Sequence, residues 1–290
     1  MQQFGVVQSR CRHSPNSTKD DVDMSTDSMH HVDMSTSRSV LITGGSAGIG
    51  LALAQRYAER GDRVMVTGRS ADALRHAAQG TSGLETVVSD VSAPIDRERL
   101  AAHVLAEMPE IDTLVNNAGV QRRVPLAVDD APWHQRQVEI DTLLAGPIHL
   151  NALLAPLLTK HSRPSVIVNV TSGGALIPQP FAPVYSACKA AMHSYTINLR
   201  FALRHTGVRV VEVIPPAVAT RLAGHGHVHG APVEEFVDAV FDALVEGRVD
   251  EIGYSATDSP AVLRRREMDR EMFDAASTRF PVADYSIHPR

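Results

Sequence analysis

Residues 40–50 read Val-Leu-Ile-Thr-Gly-Gly-Ser-Ala-Gly-Ile-Gly, and this stretch decides the fold. Its apolar and β-branched beginning, Val40–Thr43, predicts a buried strand, and the periodicity of Ile49–Arg60 predicts a helix directly after the glycines. Glycines allow positive φ angles and let phosphate oxygens approach backbone amides, while a helix N-terminus adds partial positive charge. A glycine turn can be purely structural, but between a strand and a helix it predicts a site for a dinucleotide pyrophosphate.

The chain repeats this alternation of strand and helix as far as Tyr254. Further strands are predicted at Val64–Thr67, Thr86–Val88, Thr113–Asn116, Val166–Val170, Val208–Ile214 and Glu251–Tyr254. Further helices are predicted at Ala71–Gln79, Ile95–Met108, Trp133–Leu158, Val184–Arg204 and Glu234–Glu246. Apolar strands that alternate with helices indicate an α/β fold, a doubly wound parallel sheet of Rossmann-like type in a single domain over residues 38–290. Ligands of such sheets bind at the carboxyl edge of the strands.

The first 37 residues have a different character. They are rich in Ser, Asp, His and Met and show no hydrophobic period, which predicts a disordered N-terminal leader. The string Val-Asp-Met-Ser-Thr occurs twice, at residues 22–26 and 32–36. A functional tail stays open as an alternative to an unstructured leader or to a start at Met34.

Composition and charge bound the function class. A net charge of −5 argues against a nucleic-acid surface, which is usually basic. Two distant cysteines, Cys11 and Cys188, form neither a disulfide framework nor a zinc spacing, which favours a reducing, cytoplasmic location. The longest apolar stretch, Leu143–Thr159, is interrupted by two prolines and is predicted too short to span a bilayer. We expect a small-molecule substrate, no nucleic acid and no membrane partner.

A tyrosine and a lysine one helical turn apart carry the chemistry. Tyr185 and Lys189 stand at positions i and i+4 and therefore share a helix face. A free phenol, with a pKa of about 10, is a poor acid or base near neutral pH, and a nearby cation lowers that pKa. Ser172 follows the fifth predicted strand, thirteen residues before Tyr185, and its hydroxyl could hydrogen-bond a substrate oxygen and stabilise a developing alkoxide, although a serine after a strand is usually only a cap or turn residue. The candidate catalytic residues are Tyr185, Lys189 and a hydroxyl at this strand end, Ser172 or Thr171.

These motifs together resemble the short-chain dehydrogenase/reductase family over about residues 38–255. The resemblance rests on the spacing Thr-Gly-x-x-x-Gly-Ile-Gly at residues 43–50, on Asn116-Asn117-Ala118-Gly119, on Ser172, and on Tyr185-x-x-x-Lys189. It implies an oxidoreductase that moves a hydride between a nicotinamide and a carbonyl or alcohol carbon. In that reaction Tyr185 is the general acid/base, Lys189 also binds the nicotinamide ribose, and Ser172 orients the substrate oxygen. Homodimers or homotetramers are common in the family.

The end of the second strand bears on the choice of dinucleotide. An acid there favours NAD by binding the ribose 2′-hydroxyl, but this chain has Gly68 followed by Arg69. The guanidinium of Arg69 can bind a 2′-phosphate through two nitrogens, so NADP(H) is predicted rather than NAD(H). The alternative is that Arg69 is an ordinary solvated surface arginine. The full set of predicted cofactor-binding residues is Gly44, Ser46, Ala47, Gly48, Ile49, Gly50, Arg69, Asp90, Val91, Asn117, Ala118, Gly119, Tyr185, Lys189, Pro215, Val218 and Thr220.

Two residues depart from the family pattern. Pro216 replaces a glycine in the loop after the sixth strand, and Leu143 stands where most members carry an asparagine that supports a water leading to the lysine. We expect Thr142 or backbone carbonyls to serve that relay, or turnover to be slow. Leu143 keeps open a rival function, a non-catalytic NADP-binding regulator. A dehydratase or epimerase is disfavoured by the glycine spacing and the chain length.

The remaining candidates carry less chemistry. The histidines of Gly224–Gly230 are interpreted as part of a mobile substrate loop rather than as a metal site, and no metal is predicted. Substrate-lining residues are expected within Leu176–Pro183 and Arg221–Val233, although neither segment identifies the substrate. The run Arg264–Arg266, set among acidic residues, predicts a solvated helix. Cys188 is predicted to be a neutral helix residue rather than a reactive thiol.

Overall fold

The computed structural model describes residues 37–222, 224, 229–247, 249–279 and 282–285. The predicted leader, apart from Ser37, lies outside these residues, as do His225 and His227. The strands are β1 (Ser39–Thr43), β2 (Arg63–Gly68), β3 (Leu84–Val88), β4 (Thr113–Asn116), β5 (Ser165–Val170), β6 (Val208–Ile214) and β7 (Glu251–Gly253). The helices are α1 (Gly48–Glu59), α2 (Ala71–Gly80), α3 (Pro94–Glu107), α4 (Trp133–Ile140), α5 (Gly146–Leu158), α6 (Gly173–Leu176), α7 (Pro183–Leu203), α8 (Val233–Glu246) and α9 (Pro260–Ser277).

The seven strands form one parallel sheet in the order β3-β2-β1-β4-β5-β6-β7. Strands β1, β4 and β5 are buried along their whole length, because helices cover both faces of the sheet. One face packs α1 and α8 through Leu53 and Phe236, and the other packs α3 and α5 through Leu100 and Leu154. This arrangement confirms the predicted doubly wound sheet. The strand order reverses between β1 and β4, where such sheets bind their ligands.

The predicted long helix over residues 133–158 is interrupted in the middle. Asp141–Ala145 forms a π-helical turn between α4 and α5, and the Gly146 N–H bonds back to the Asp141 carbonyl. Pro147 explains part of this local change, because it has no N–H to donate to the carbonyl of Leu143 four residues earlier. The turn also requires a glycine at position 146, since a Cβ there would lie 2.9 Å from the Val91 carbonyl oxygen. The turn therefore separates two helices that a regular period would join.

By length and composition alone, the 26 residues of Trp133–Leu158 are apolar enough to cross a membrane, contrary to the expectation for this stretch. The packing of this segment indicates a core helix instead, because Leu150, Leu154 and Leu158 are buried in the hydrophobic core together with residues of α3. The same test is passed by the core helices of proteins that never enter a membrane.

The prediction of a solvated helix around Arg264–Arg266 is half wrong. Helix α9 exists, but Arg266 is only 6 % exposed. Its Nε donates to Glu251 Oε2 at 2.6 Å and its Nη2 donates to the Glu251 carbonyl oxygen at 2.7 Å. Charge alternation along the sequence does not reveal that one arginine of the three binds an edge strand. This bidentate contact ties α9 to β7.

Candidate active site

A cavity of about 720 Å³ opens at the carboxyl ends of the strands on both sides of the β1–β4 reversal. It is lined by Ser172 and by every predicted cofactor-binding residue except Gly50. Segments far apart in the chain thus meet in a single pocket. The pocket is long enough to contain both the glycine turn and the tyrosine–lysine pair.

The glycine turn is shaped by backbone that other residues do not tolerate. Gly44 has a φ of +66°, and a Cβ on it would lie 2.7 Å from the Cα of Ala118. Gly48 has a φ of +55° at the start of α1, and Ala47 before it gives no side-chain cap to the helix. The first amides of α1 therefore face the pocket without a side-chain partner. This cradle fits a pyrophosphate.

Gly50 has a different role from the one predicted. It does not line the pocket, and a Cβ there would lie 2.4 Å from the Gly44 carbonyl oxygen and from Asn117 Nδ2. Gly50 instead lets α1 pack closely beneath the turn. Asn117 donates from the same amide to the carbonyl oxygens of Thr43 (3.0 Å) and Gly44 (3.1 Å), which fixes the turn to the end of β4.

The end of β2 suits a phosphorylated ribose. Gly68 lies so close to Ser46 that a Cβ at position 68 would be 3.1 Å from the serine Oγ, so an acidic side chain there would displace the serine. Arg69 lines the pocket and forms no hydrogen bond or ion pair within the part of the chain that the structure describes. Its guanidinium and the nearby hydroxyl are a donor set for a 2′-phosphate.

Three predicted catalytic side chains come together at the other end of the pocket. Tyr185 and Lys189 lie one turn apart on α7, and each is 5 % exposed. The Ser172 hydroxyl accepts from the Gly174 N–H at 3.1 Å and lies close enough to Tyr185 to lower the pKa of the phenol, and Lys189 Nζ donates to the Val170 carbonyl oxygen at 2.7 Å. Lys189 Nζ is 5.8 Å from the centre of the Tyr185 ring. Thr171, the alternative to Ser172, instead donates to Glu212 Oε1 at 2.6 Å.

The expected effect of Lys189 on the phenol is not what the structure gives. Burial raises the pKa of Tyr185 above its ordinary value, the nearby Ser172 hydroxyl lowers it in part, and the carboxylate of Glu139 raises it. Burial also lowers the pKa of Lys189 to about 8, against weaker upward effects of Cys188 and Glu212. The prediction that Lys189 lowers the phenol pKa is therefore wrong for these side chains by themselves. The reason is that burial is the largest effect on the phenol, while Lys189, whose Nζ lies 5.8 Å from the ring centre, is not among the groups that shift its pKa.

Cys188, beside Lys189, is also governed by burial. Desolvation raises the pKa of its thiol to about 11, more than the adjacent ammonium lowers it. The side chain packs with Leu143, Ala182 and Tyr185 in a small apolar cluster. Such a thiol stays protonated near neutral pH, which agrees with a neutral rather than a reactive residue.

Leu143 lies in the π-helical turn and is 1 % exposed. Its neighbour Thr142 donates to the Val138 carbonyl oxygen at 2.7 Å and lines the main pocket. A second cavity, of about 10 Å³, is bordered by Thr142, Leu143 and Lys189. That volume is of the order needed for one water molecule. The missing asparagine therefore leaves a polar atom and a small space beside the lysine.

The substrate side of the pocket contains residues that the sequence did not single out. Arg123 and Gln121 follow the Asn116–Gly119 signature and line the pocket, and Arg123 Nε donates to Gln121 Oε1 at 3.2 Å. The Arg123 guanidinium lies 4.9 Å from the centre of the Phe181 ring, four residues before Tyr185. The sequence position of Arg123 could have identified it as a candidate, because residues just beyond the carboxyl end of a strand at the point where the strand order reverses commonly bind ligand.

The two neighbouring arginines of this loop are in opposite situations. Arg122 donates through both terminal nitrogens to Asp129, at 3.0 and 2.7 Å, and its backbone N–H donates to the buried Glu139. Arg123 has no carboxylate partner among the described residues. Of the segments expected to line the substrate site, the structure places Gln179, Phe181, Arg221, Leu222, His229 and Val233 on the pocket wall.

The sequence and the structure were compared with known proteins. A family model described as "short chain dehydrogenase" matches residues 38–227. The uncharacterized oxidoreductase DltE of Bacillus subtilis (strain 168) is 39 % identical over 249 residues, 84 % of this chain and 98 % of that protein. Sulfoacetaldehyde reductase 2 of Chromohalobacter salexigens is 37 % identical over 190 residues, 62 % of this chain and 73 % of that protein. A short-chain dehydrogenase from Sphingobium yanoikuyae, solved with NADPH, superimposes with a TM-score of 0.72 at 25 % identity, over 85 % of this chain and 99 % of that one.

Proposed function

Because the chain belongs to the short-chain dehydrogenase/reductase family, we propose that Ser172, Tyr185 and Lys189 catalyse hydride transfer to the carbonyl carbon of a small anionic substrate. The protein is an NADP(H)-dependent oxidoreductase that acts on alcohol and carbonyl groups. When bound, the dinucleotide supplies or accepts the hydride. The observation that carries the proposal is that Ser172, Tyr185 and Lys189, the last one turn further along α7, line the same pocket as the glycine turn.

The protonation state of Tyr185 favours reduction. Burial raises its pKa, so the phenol keeps its proton at neutral pH and is ready to donate it to a carbonyl oxygen. Ser172 would hold the same oxygen and stabilise the charge that develops on it. Lys189, the buried cation beside them, would bind the nicotinamide ribose and favour the phenolate after proton transfer. For the return of a proton to Lys189, Thr142 and the backbone carbonyls of the π-helical turn replace the absent asparagine.

The dinucleotide would be held mainly by backbone. The amides of the glycine turn and of the first turn of α1 would bind the pyrophosphate. Arg69 and Ser46 would bind the 2′-phosphate that distinguishes NADP(H) from NAD(H). Asp90 and Val91 would contact the adenine, and Val218 and Thr220 the nicotinamide; all four residues line the same pocket.

Arg123 indicates the class of substrate. A guanidinium at the pocket wall, with no carboxylate partner among the described residues, is suited to a carboxylate, sulfonate or phosphate. Its stacking on Phe181 places it near the N-terminal end of α7, the helix that carries Tyr185. One relative is a sulfoacetaldehyde reductase, whose named substrate is a short aldehyde with an anionic group. We therefore expect a short carbonyl compound with an acidic group.

The rival function, a regulator that binds NADP without catalysis, rested on Leu143. The pocket retains all three predicted catalytic side chains, and Thr142 with its small cavity lies beside Lys189, which supports catalysis without the asparagine. We also expect a cytoplasmic protein and a homodimer or homotetramer.

The test is NADPH oxidation by the full chain with a panel of short aldehydes and ketones, half of them carrying an acidic group. Wild type should turn over anionic members, and Tyr185→Phe should lose about 1,000-fold in kcat while NADPH affinity, measured by fluorescence, stays unchanged. A Tyr185→Phe variant with full activity would remove the tyrosine from the chemistry. The absence of turnover by wild type with all substrates would favour the regulatory function.

A further inference from the structure

A buried carboxylate behind the catalytic residues has no part in the reaction described so far. Glu212, in the middle of β6, is 0 % exposed. Its Oε1 accepts the Thr171 hydroxyl at 2.6 Å, and His193 Nδ1 lies 2.8 Å from Oε2 and 3.0 Å from Oε1. Carboxylates are rarely buried in this way unless they are paired, so the contacts are specific.

The position of this pair relative to the active site follows from helical spacing. Tyr185, Lys189 and His193 are four residues apart along α7 and share one face. Strand β5 also links Lys189 to Glu212. Lys189 donates to the Val170 carbonyl oxygen, and the next residue, Thr171, donates to Glu212. Glu212 therefore approaches Lys189 from two directions, through His193 on the helix and through Thr171 beside Ser172.

Lys189 needs a compensating charge. Its ammonium is almost fully buried and, among the described residues, forms no ion pair, only the bond to Val170. A buried cation without compensation tends to lose its proton. Glu212 is the carboxylate whose field favours the charged lysine. Glu139, the other buried carboxylate near the site, acts instead on Tyr185 and Cys188.

We propose that Glu212 is a positioning residue for the reaction, a buried counter-charge that keeps Lys189 protonated, with His193 setting its net charge. The proposal rests on the role given to Lys189 under the proposed function. It assigns Glu212, His193 and Thr171 a purpose beyond packing. The pair adds no new step to the reaction and acts only through the lysine.

His193 makes the counter-charge depend on pH. The imidazole is 14 % exposed and faces Glu212 from β6, Glu251 from β7, Asp269 from α9 and Lys189 on its own helix. Burial lowers its pKa, but the bond to Glu212 and the other two carboxylates outweigh burial and raise it. Below that pKa the His193–Glu212 pair is neutral, and above it the pair carries one negative charge. The negative charge therefore appears only above the raised pKa of His193, while burial lowers the pKa of Lys189 to about 8.

The lysine content of the chain makes a direct test possible. There are three lysines, Lys19, Lys160 and Lys189, so a protein labelled with ¹³C-lysine gives three Cε signals that single Lys19→Arg and Lys160→Arg variants assign. We expect the titration midpoint of Lys189 to fall by about one pH unit in Glu212→Gln, which keeps the shape and an acceptor oxygen for the Thr171 hydroxyl but not the charge. Glu212→Asp, which keeps the charge, should restore most of the shift. An unchanged midpoint in a folded Glu212→Gln protein would overturn the proposal.

A matched control and a second variant complete the test. Glu251 pairs in register with Glu212 on the neighbouring strand but is held by Arg266, so Glu251→Gln should leave the Lys189 midpoint within about 0.3 unit. If Glu212→Gln does not fold, His193→Arg provides the same test, because a permanent cation neutralises Glu212 at every pH and should lower the midpoint. A rise in that variant would contradict the proposal.

Kinetics separate this inference from the proposed function. The alkaline limb of the kcat/KM profile should move to lower pH in Glu212→Gln by the same amount as the NMR midpoint. A purely structural role would lower activity and melting temperature together without moving the limb. The NMR titration does not depend on turnover, so a failure of Tyr185→Phe to lose activity would leave this result intact and overturn only the proposed function.

Discussion

The two ends of the pocket are built in different ways. At the cofactor end, the shape comes from backbone, namely the positive φ angles of Gly44 and Gly48 and the open N-terminus of α1. At the substrate end, the shape comes from side chains of separate loops, among them Arg123 and Phe181. Backbone geometry needs particular residues at fixed spacing, whereas side chains from separate loops need only point to the same place.

This difference determines what each end can tolerate. A side chain added at Gly44 must collide with the backbone of Ala118, so a change there affects binding and folding together. A side chain exchanged on a loop changes which molecules fit while the cofactor end is unaffected. The four predictions below test how separate the two ends are, from the largest effect to the smallest.

Gly44→Ala should abolish NADPH binding and destabilise the fold. The new Cβ would lie 2.7 Å from the Cα of Ala118, in a backbone conformation that alanine rarely adopts. Isothermal titration with NADPH and thermal unfolding would measure both losses. Gly80→Ala is the matched control, because a Cβ there meets nothing within 4 Å. Normal NADPH binding by Gly44→Ala would show that the turn does not have the required geometry.

Arg69→Leu should weaken NADPH binding about 100-fold and leave NADH binding almost unchanged, because only the 2′-phosphate contact is lost. The measurement is the ratio of dissociation constants for the two dinucleotides. Arg75→Leu, a change at an exposed arginine of α2 paired with Asp72, should not alter the ratio. An equal loss for both dinucleotides would assign Arg69 to another part of the cofactor.

Arg123→Met should raise KM for an anionic substrate about 30-fold, because a charge-assisted contact is removed. KM for an uncharged aldehyde and the affinity for NADPH should stay the same if the two ends are separate. Steady-state kinetics with both substrate types gives the comparison, and Arg123→Lys should show an intermediate loss. An equal rise in KM for both substrates would mean that Arg123 shapes the pocket without recognising charge.

Leu143→Asn should have the smallest effect on turnover, within about threefold, if Thr142 already serves the proton path. We expect the substitution to lower the free energy of unfolding by about 2 kcal/mol instead, because an amide would enter the apolar cluster of Ala182, Tyr185 and Cys188. Denaturant unfolding and kcat would be measured on the same preparation. A tenfold or larger gain in kcat would indicate that the natural leucine slows the enzyme.

The sequence predicted the strands and the main helices because their signals are local. The apolar runs of β1, β5 and β6 agree with two-sided burial, and their ends differ from the prediction by one residue or none. The short helix α6 was missed because two glycines begin it, and glycine is a poor helix former. The π-helical turn was missed because hydrophobic periodicity continues through it.

The candidate site was predictable where motif residues share one element. The spacing of Tyr185 and Lys189 gives their common face directly, whereas the position of Glu212 behind them depends on how β6 packs against α7. Arg123 was indistinguishable from Arg122 in the sequence, and only the location of Asp129 separates them. The direction of the Tyr185 pKa shift was wrongly predicted because burial is a property of the whole fold.

The π-helical turn at Asp141–Ala145 has a consequence for natural variation in length. One residue more than a regular helix requires is accommodated there, so Glu139 before the turn and Leu143 within it can lie toward Tyr185 while Leu150 and Leu154 after it face the core. Deleting one residue within the turn would make the helix regular and leave both faces where they are, whereas deleting one residue from α4 or from α5 would rotate one half against the other by about 100°. We therefore expect changes of length to be tolerated at the turn far more readily than in the two flanking helices.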